Sequence, residues 1–262
     1  MSIEDVQNHP DNRNIPINKV GIKDIRHPIV ISDKDNRQQS TVGNFTMSVN
    51  LAHHVKGTHM SRFIGLLNEG GPTTISINSF TEFLKKMTLL LEAESGFVTV
   101  DFEYFINKSA PVSGVQSLMN YQVSMSGMWS ADSSGLRVKV TIPVTSLCPC
   151  SKKISEYGAH NQRSHIIVDF VPSEGLYIED IIKMVEAQAS SELYALLKRP
   201  DEKYITEYAY DNPKFVEDAV RDIANELNNN DHVLSYILEA ENFESIHNHS
   251  AYAMIENNKQ NN

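Results

Sequence analysis

Cysteine is scarce. The chain has 262 residues and only two of them, Cys148 and Cys150, are Cys, too few for the disulfide frameworks that hold small secreted domains together. No apolar run reaches the roughly 18–20 residues needed to cross a bilayer, so no membrane partner is expected. Basic residues are also in deficit: 23 Lys and Arg stand against 33 Asp and Glu, a formal charge of −10. Without a basic footprint the chain is not expected to bind nucleic acid. Neither Gly-X-X-X-X-Gly-Lys-Ser/Thr nor Gly-X-Gly-X-X-Gly occurs, so any bound nucleotide is not held in the P-loop or Rossmann manner. The opening stretch, MSIEDVQNHPDNRN, is polar and acidic and lacks the apolar segment of a secretory signal. A cytoplasmic location with reduced thiols is the expectation.

What is present reads as a globular α+β protein. Apolar residues make up 40% and charged residues 21%, and the length suits one large domain or two small ones sharing a core. Residues 1–39 show no sustained period, with 28–31 the only strand-like stretch, and read as an arm. Residues 40–150 open on a period-2 segment (Val42, Phe45, Met47, Val49, Leu51). A Gly-rich loop at 68–72 and a helix at 76–94 follow, with Phe80, Phe83, Leu84, Met87, Leu90 and Leu91 on one face. Strands are expected at 97–106, 116–129 and 136–144. Residues 151–262 repeat the theme: a strand at 163–171, helices at 178–197 and 213–228, strands at 232–240 and 250–255, and a polar tail. This order, met twice, suggests a duplicated α+β unit with antiparallel sheets, against the alternative of one undivided domain.

The residues that could carry chemistry cluster in 146–165. Cys148-Pro149-Cys150 follows an apolar strand, and His160 stands twelve residues after the first Cys. Thiolate and imidazole are ligands that zinc prefers, and imidazole also suits iron and manganese. The alternative is a pair of small thiols beside a loop histidine, and oxidation could close the pair as a strained disulfide. A closed structural zinc site often uses two Cys-X-X-Cys pairs, and no second pair exists here. Further ligands would have to be His or carboxylate, which leans towards a catalytic site with an open position. Glu202, Glu244, His247 and His249 supply candidates, though each alone could be a solvated surface group. Glu217 stands in the first turn of the 213–228 helix. It could complement the helix dipole, or accept paired N–H donors from a flat nitrogenous ring. Lys152, Lys153 and Arg163 flank the Cys/His pair, and 53–62 holds His53, His54, Lys56, His59 and Arg62. These two basic clusters could meet phosphates in an otherwise acidic protein, or be ordinary polar loops.

Four segments together resemble the type IB GTP cyclohydrolases: Val20-Gly21-Ile22, Lys56-Gly57-Thr58-His59-Met60-Ser61-Arg62, Ser146-Leu147-Cys148-Pro149-Cys150-Ser151-Lys152 and Gly158-Ala159-His160-Asn161-Gln162-Arg163-Ser164. The resemblance covers nearly the whole chain. It implies two tandem tunnelling-fold units, antiparallel sheets with helices on one face, in a homotetrameric barrel with active sites at subunit interfaces. It implies hydrolysis and rearrangement of GTP to 7,8-dihydroneopterin triphosphate and formate, the first step towards tetrahydrofolate. By the same resemblance Cys148, His160, Glu202 and His247 would surround a divalent metal, Mn²⁺, Zn²⁺ or Fe²⁺. Cys148, His160 and Glu244 would serve catalysis, Glu217 would anchor guanine, and Lys152, Arg62 and His59 would meet the triphosphate. Two other readings stay open on residues alone. One is a tunnelling-fold nitrile reductase with Cys148 as nucleophile and NADPH as reductant. The other is a non-catalytic metal- or pterin-binding protein.

Overall fold

The computed structural model describes residues 7, 9–69 and 73–259. Gly70, Gly71 and Pro72 of the expected loop, and the last three residues of the polar tail, lie outside them. The chain divides into two compact units, Met1–Glu103 with Ser124–Arg137, and Tyr104–Val123 with Val138–Asn262. Each is a mixed α+β body built on antiparallel strands.

In the first unit, β1 (Ile17–Ser32) pairs antiparallel with β2 (Gln38–Leu51). Helix α1 (Met60–Asn68) follows, and β3 (Thr73–Ile75) then joins β1 in parallel. After α2 (Ile77–Leu90), β4 (Ser95–Ser109) returns along β2, with Asn44 opposite Asp101 and Val49 opposite Gly96. Alternate residues Phe45, Met47, Val49, Val98 and Val100 are buried, as are Phe63 and Leu67 of α1 and Phe80, Leu84 and Met87 of α2. Helix α2 starts where Ser76 and Ser79 exchange side-chain and backbone bonds in a capping box.

Two features of this unit differ from the sequence reading. Residues Ile17–Ser32 of the segment read as an arm form β1. Register shifts between Ile17 and Val20 and between Ile22 and Ile25, with Asp24 at φ 58°, break its period-2 pattern and hide the strand. There are also two helices here where one was expected, because the short α1 begins inside the segment read as a basic cluster.

Strands β5 (Gln116–Ser130) and β6 (Ser134–Leu147), like β4, contribute residues to both units. In the second unit the short α3 (Pro149–Ile154) leads to β7 (Asn161–Pro172), which pairs antiparallel with β6. Then come α4 (Ile178–Ala187), β8 (Ser191–Glu192), α5 (Arg199–Asp211), α6 (Val216–Asn229), β9 (Val233–Asn242) and β10 (Ala251–Asn258). β9 lies between β7 and β10, and β8 adds to β6. The expected 178–197 helix therefore stops ten residues early. Ser191 and Glu192 leave it to pair with Thr145 and Val144. Helix α5 was missed because it is polar almost all round, with only Asp201 and Ala209 buried.

Several buried charged and polar groups in this unit are matched, although Ser117 Oγ is buried without a partner among the described residues. Asp201 accepts from the backbone N–H groups of Val112, Ser113 and Lys198 and from Ser113 Oγ. Burial pushes its pKa up, but these donors outweigh it and hold the carboxyl below the ordinary range. Lys108 donates to Glu186 at 2.9 Å and also to Glu192. Tyr121 donates to Glu186 at 2.7 Å. Burial, then the neighbouring Glu186, push the Tyr121 phenol up, so it stays a neutral donor.

Gly96 is a point of close approach: a Cβ there would meet Thr88 Oγ1 at 2.0 Å and Met87 Cε at 2.8 Å. Thr88 cannot swing clear, being fully buried with its hydroxyl donating to Leu84 O at 2.8 Å. Gly96→Ala is expected to destabilise the protein by roughly 1–3 kcal/mol. Gly65→Ala, on α1 with open space around it, should be neutral or stabilise by up to about 1 kcal/mol. Thermal unfolding of the two variants checks the contrast, and equal effects would refute the packing argument.

Candidate active site

Three neighbouring strands build the floor of the site. Along β6, β7 and β9 the inward positions are apolar for most of their length, as in Val140, Ile142, Val144, Ile166, Val168, Phe170, Leu238 and Ala240. At one end the same rows turn polar while staying buried: Ser146, Gln162, Ser164 and Asn242. Register brings them together, with Ser146 opposite Gln162 and Ser164 opposite Asn242. Ser164 Oγ donates to Asn242 Oδ1 at 2.7 Å, and Asn242 Nδ2 donates to Ser146 Oγ at 3.2 Å. Gln162 Nε2 donates to Ser146 Oγ at 3.4 Å and to Glu244 Oε1 at 3.5 Å.

The walls are loops that leave these strand ends. Cys148 directly follows β6 and is the N-terminal cap residue of α3, with Pro149 in its first turn. Its N–H donates to His160 O at 3.1 Å, so the backbones of Cys148 and His160 are tied across the mouth of the β6–β7 pair. Ser151 Oγ donates to Cys148 O and accepts from His160 N, each at 3.2 Å. The His160 ring places Nδ1 at 2.9 Å from Gln162 Oε1 and 3.8 Å from Glu244 Oε2. Between β9 and β10, Phe243 N donates to Arg163 O at 3.0 Å, and the loop carries Glu244 and the stacked rings of His247 and His249. From the other side Lys214 N donates to Leu147 O at 3.1 Å, which brings the start of α6 to the same place.

The result is a cavity of about 290 Å³ lined by Cys148, Cys150, His160, Gln162, Phe215, Glu217, Glu244, His247 and His249 among others. Of the residues expected from sequence, it gathers Cys148, His160, Glu217, Glu244 and His247. It does not gather four. Glu202 is exposed on α5 and is not among the lining residues. Lys152 donates to Tyr210 O and lies 4.2 Å over the Tyr210 ring, at the end of α5. His59 and Arg62 line a cavity in the first unit, where Arg62 bonds Leu90 O and Glu92, both at 3.0 Å. Sequence reasoning gave no role to Ser146, Gln162, Asn242 or Phe215. The signal for the first three was the period-2 alternation itself, which continues from apolar into polar residues at one end of each strand.

The donor chemistry fits a divalent metal. Cys148 and Cys150 are both free thiols, Cys148 half-buried and Cys150 exposed. A metal-ligating histidine characteristically has its second ring nitrogen held by an oxygen acceptor, and His160 Nδ1 is held in that way. Among the described residues no three His, Cys, Asp or Glu side chains converge as a ready-made ligand set. Cys148 and His160 therefore supply two donors of the right kind. No helix among the described residues is long and apolar enough to cross a membrane.

A half-buried thiol, an oriented imidazole and carboxylates stand around one cavity, side chains of the kinds that hydrolytic enzymes use. Comparison with known proteins gives the particular family. The model of the type I GTP cyclohydrolase folE2 family matches residues 3–253. A GTP cyclohydrolase FolE2 from Nitrosococcus oceani is 60% identical over 257 residues, covering 98% of this chain and 96% of that protein. The Methylobacillus flagellatus protein of the same name is 59% identical over 258 residues, covering 98% and 97%. The chain belongs to the folE2 family of type I GTP cyclohydrolases. The family description says type I and folE2, where the motif resemblance had suggested type IB. Among solved structures, uricase from Arthrobacter globiformis aligns with TM-score 0.47 at 8% identity over 92% of each chain. A hyper-thermostable AgUricase mutant aligns with TM-score 0.51 at 8% identity over 92% of this chain and 90% of that one, a likeness of fold.

The two thiols should differ towards reagents. Exposed Cys150 is expected to alkylate faster than Cys148, and added Zn²⁺ is expected to slow Cys148 further. Peptide mapping by mass spectrometry after timed iodoacetamide treatment reads both rates. Protection of Cys150 with Cys148 unchanged would move the metal donor to the other cysteine.

Proposed function

We propose that the 290 Å³ cavity is the active site of a GTP cyclohydrolase of the type IB kind. The enzyme converts GTP and water into 7,8-dihydroneopterin triphosphate and formate, the entry to tetrahydrofolate. One observation carries the reading: a single cavity is lined by metal-type donors (Cys148, His160, His247), a carboxylate beside the imidazole (Glu244) and a helix-borne carboxylate (Glu217). Membership of the family sets the nitrile reductase aside.

The roles divide by chemistry. Glu217, in the first turn of α6, accepts the paired N–H donors of the guanine edge, and exposed Phe215 offers the flat ring an apolar wall. Cys148 and His160 would hold a divalent ion, Zn²⁺, Mn²⁺ or Fe²⁺, with His247 in the same cavity as a further candidate ligand. Such an ion is a Lewis acid that makes water a usable nucleophile near neutral pH. Water adds at C8, the imidazole ring opens, a second hydrolysis releases formate, and ribose rearrangement with ring closure gives the pterin. Glu244, whose carboxylate lies 3.8 Å from the His160 ring, moves protons between these steps. Lys152, Arg62 and His59 do not line this cavity and would counter the triphosphate only from a neighbouring subunit. We further propose tunnelling-fold units assembled as a homotetramer in the cytoplasm, with active sites at subunit interfaces. Glu202, exposed on α5, is then free to complete a metal set in that assembly.

The decisive test strips the metal, adds GTP with Zn²⁺, Mn²⁺ or Fe²⁺ in turn, and follows formate and pterin fluorescence. Activity is expected to vanish on stripping and return with metal. Cys148→Ala should stay inactive under every metal while keeping its circular dichroism spectrum. Near-normal turnover by that variant would end the assignment of Cys148.

Glu217→Gln removes the charge from the guanine contact, a loss of about 1.5–3 kcal/mol, or roughly 10- to 100-fold in kcat/KM. Unchanged KM and kcat would remove Glu217 from the site.

A further inference from the structure

The buried amide of Gln162 has no assigned part in the reaction, yet it touches three polar side chains of the site. Its Oε1 lies 2.9 Å from His160 Nδ1, and its Nε2 lies 3.4 Å from Ser146 Oγ and 3.5 Å from Glu244 Oε1. We propose that Gln162 is a positioning residue that fixes the proton of His160 on Nδ1 and leaves Nε2 as the ring's lone-pair donor.

The argument is one of donors and acceptors. An ionised carboxylate only accepts. Glu244 Oε1 must therefore face the NH₂ end of the Gln162 amide, because the reversed amide would set two acceptors against each other. Ser146 Oγ already accepts from Asn242 Nδ2, and Asn242 is itself held by Ser164. The remaining end of the amide, Oε1, also only accepts, so the atom facing it on His160 must carry hydrogen. Glu244 Oε2, 3.8 Å from the same nitrogen, favours the same choice. A neutral imidazole has one N–H and one lone pair, so Nε2 is left as acceptor or ligand. The information runs from the Glu244 charge through the Gln162 amide to the His160 ring. Gln162 can relay it because it is only 8% exposed and its strand register fixes where its side chain starts.

The tautomer is a property of the protein itself and is read without metal or GTP. Only the affinity arm below rests on the metal-binding role proposed for His160. The experiment uses ¹⁵N-histidine-labelled full-length protein at about pH 8.5, two units above the ordinary imidazole value of about 6.5. The ring signals of His160 are identified by their loss in His160→Asn. Long-range ¹H–¹⁵N spectra are expected to show Nδ1–H in the wild type. Gln162→Met keeps the length without the acceptor, and should lose this preference and bind Zn²⁺ alone roughly 10- to 100-fold more weakly. Gln162→Glu keeps an acceptor and should retain Nδ1–H. If Gln162→Met does not fold, Glu244→Gln is read in its place and should give mixed tautomers. An Nε2–H ring in the wild type, or a tautomer unmoved by these substitutions, overturns the proposal. A shifted tautomer with unchanged Zn²⁺ affinity would instead overturn the metal role of His160 and leave the positioning role standing.

Discussion

The pairing of Ser146 with Gln162 across β6 and β7 is the constraint on which the site depends. Side chains along a strand alternate with period 2, so a slip of one residue would turn every inward group outward. The apolar stretches of β6 and β7, Val138 to Val144 and Ile166 to Phe170, fix the register because the wrong choice would expose a core row to water. That register then dictates where the polar ends fall. Ser146, Gln162, Ser164 and Asn242 meet because the hydrophobic rows behind them have already chosen their partners. The backbone bond from Cys148 to His160 continues the same ladder by one step beyond Leu147 and Asn161. Burial of a core thus sets the spacing of a thiol and an imidazole, and no metal is required to bring them together.

A polar floor at the end of a core is costly unless every group is matched. Here the matching extends beyond the cavity. Leu147, next to Cys148, has its N–H bonded to buried Ser190 Oγ and its C=O bonded by Lys214. Two distant elements, the segment after α4 and the one before α6, thereby grip the residue that carries the cysteine. Lys214 is held in turn by Asp222 at 2.7 Å. Elsewhere in the unit Lys108 between Glu186 and Glu192, and Asp201 under the β4–β5 turn, apply the same rule to charged groups. Removing one partner from such a set leaves a buried group unmatched, which costs more than the bond was worth.

Much of this was legible in the residues, and what was not has physical causes. The α+β class, the antiparallel strands and α6 follow from clean apolar periods, since Val216, Val220, Ile223, Ala224 and Leu227 form one buried stripe. β1 was not legible because two register shifts break its period. α5 was not, because its face carries tyrosines and acids instead of a core stripe. Of the residues lining the cavity, Cys148 and His160 were singled out by residue type and spacing, while Glu217, Glu244 and His247 were candidates whose roles came from the resemblance. The binding partners of His160 were not. An amide in an alternating strand looks like any other polar position until the neighbouring strand's register shows what it faces. Glu202, Lys152, His59 and Arg62 were candidates by residue type too, with roles given by the resemblance, and neither residue type nor spacing could say which cavity each would line.

The same ladder separates the two cysteines that spacing alone could not. Both line the cavity. Cys148 precedes Pro149 with φ −71° and ψ 119°, an extended residue at the end of a strand, and its backbone is tied at N–H by His160 and at C=O by Ser151. A ligand's value depends on how little freedom it must lose when it binds, and Cys148 has already lost its backbone freedom to the fold. Cys150 lies inside the first turn of a six-residue helix and is exposed. Its thiol would have to be ordered at the moment of binding. Of two chemically equal donors two residues apart, the one at the end of the ladder is pre-organised. That is the physical ground for proposing Cys148, and not Cys150, as the metal ligand.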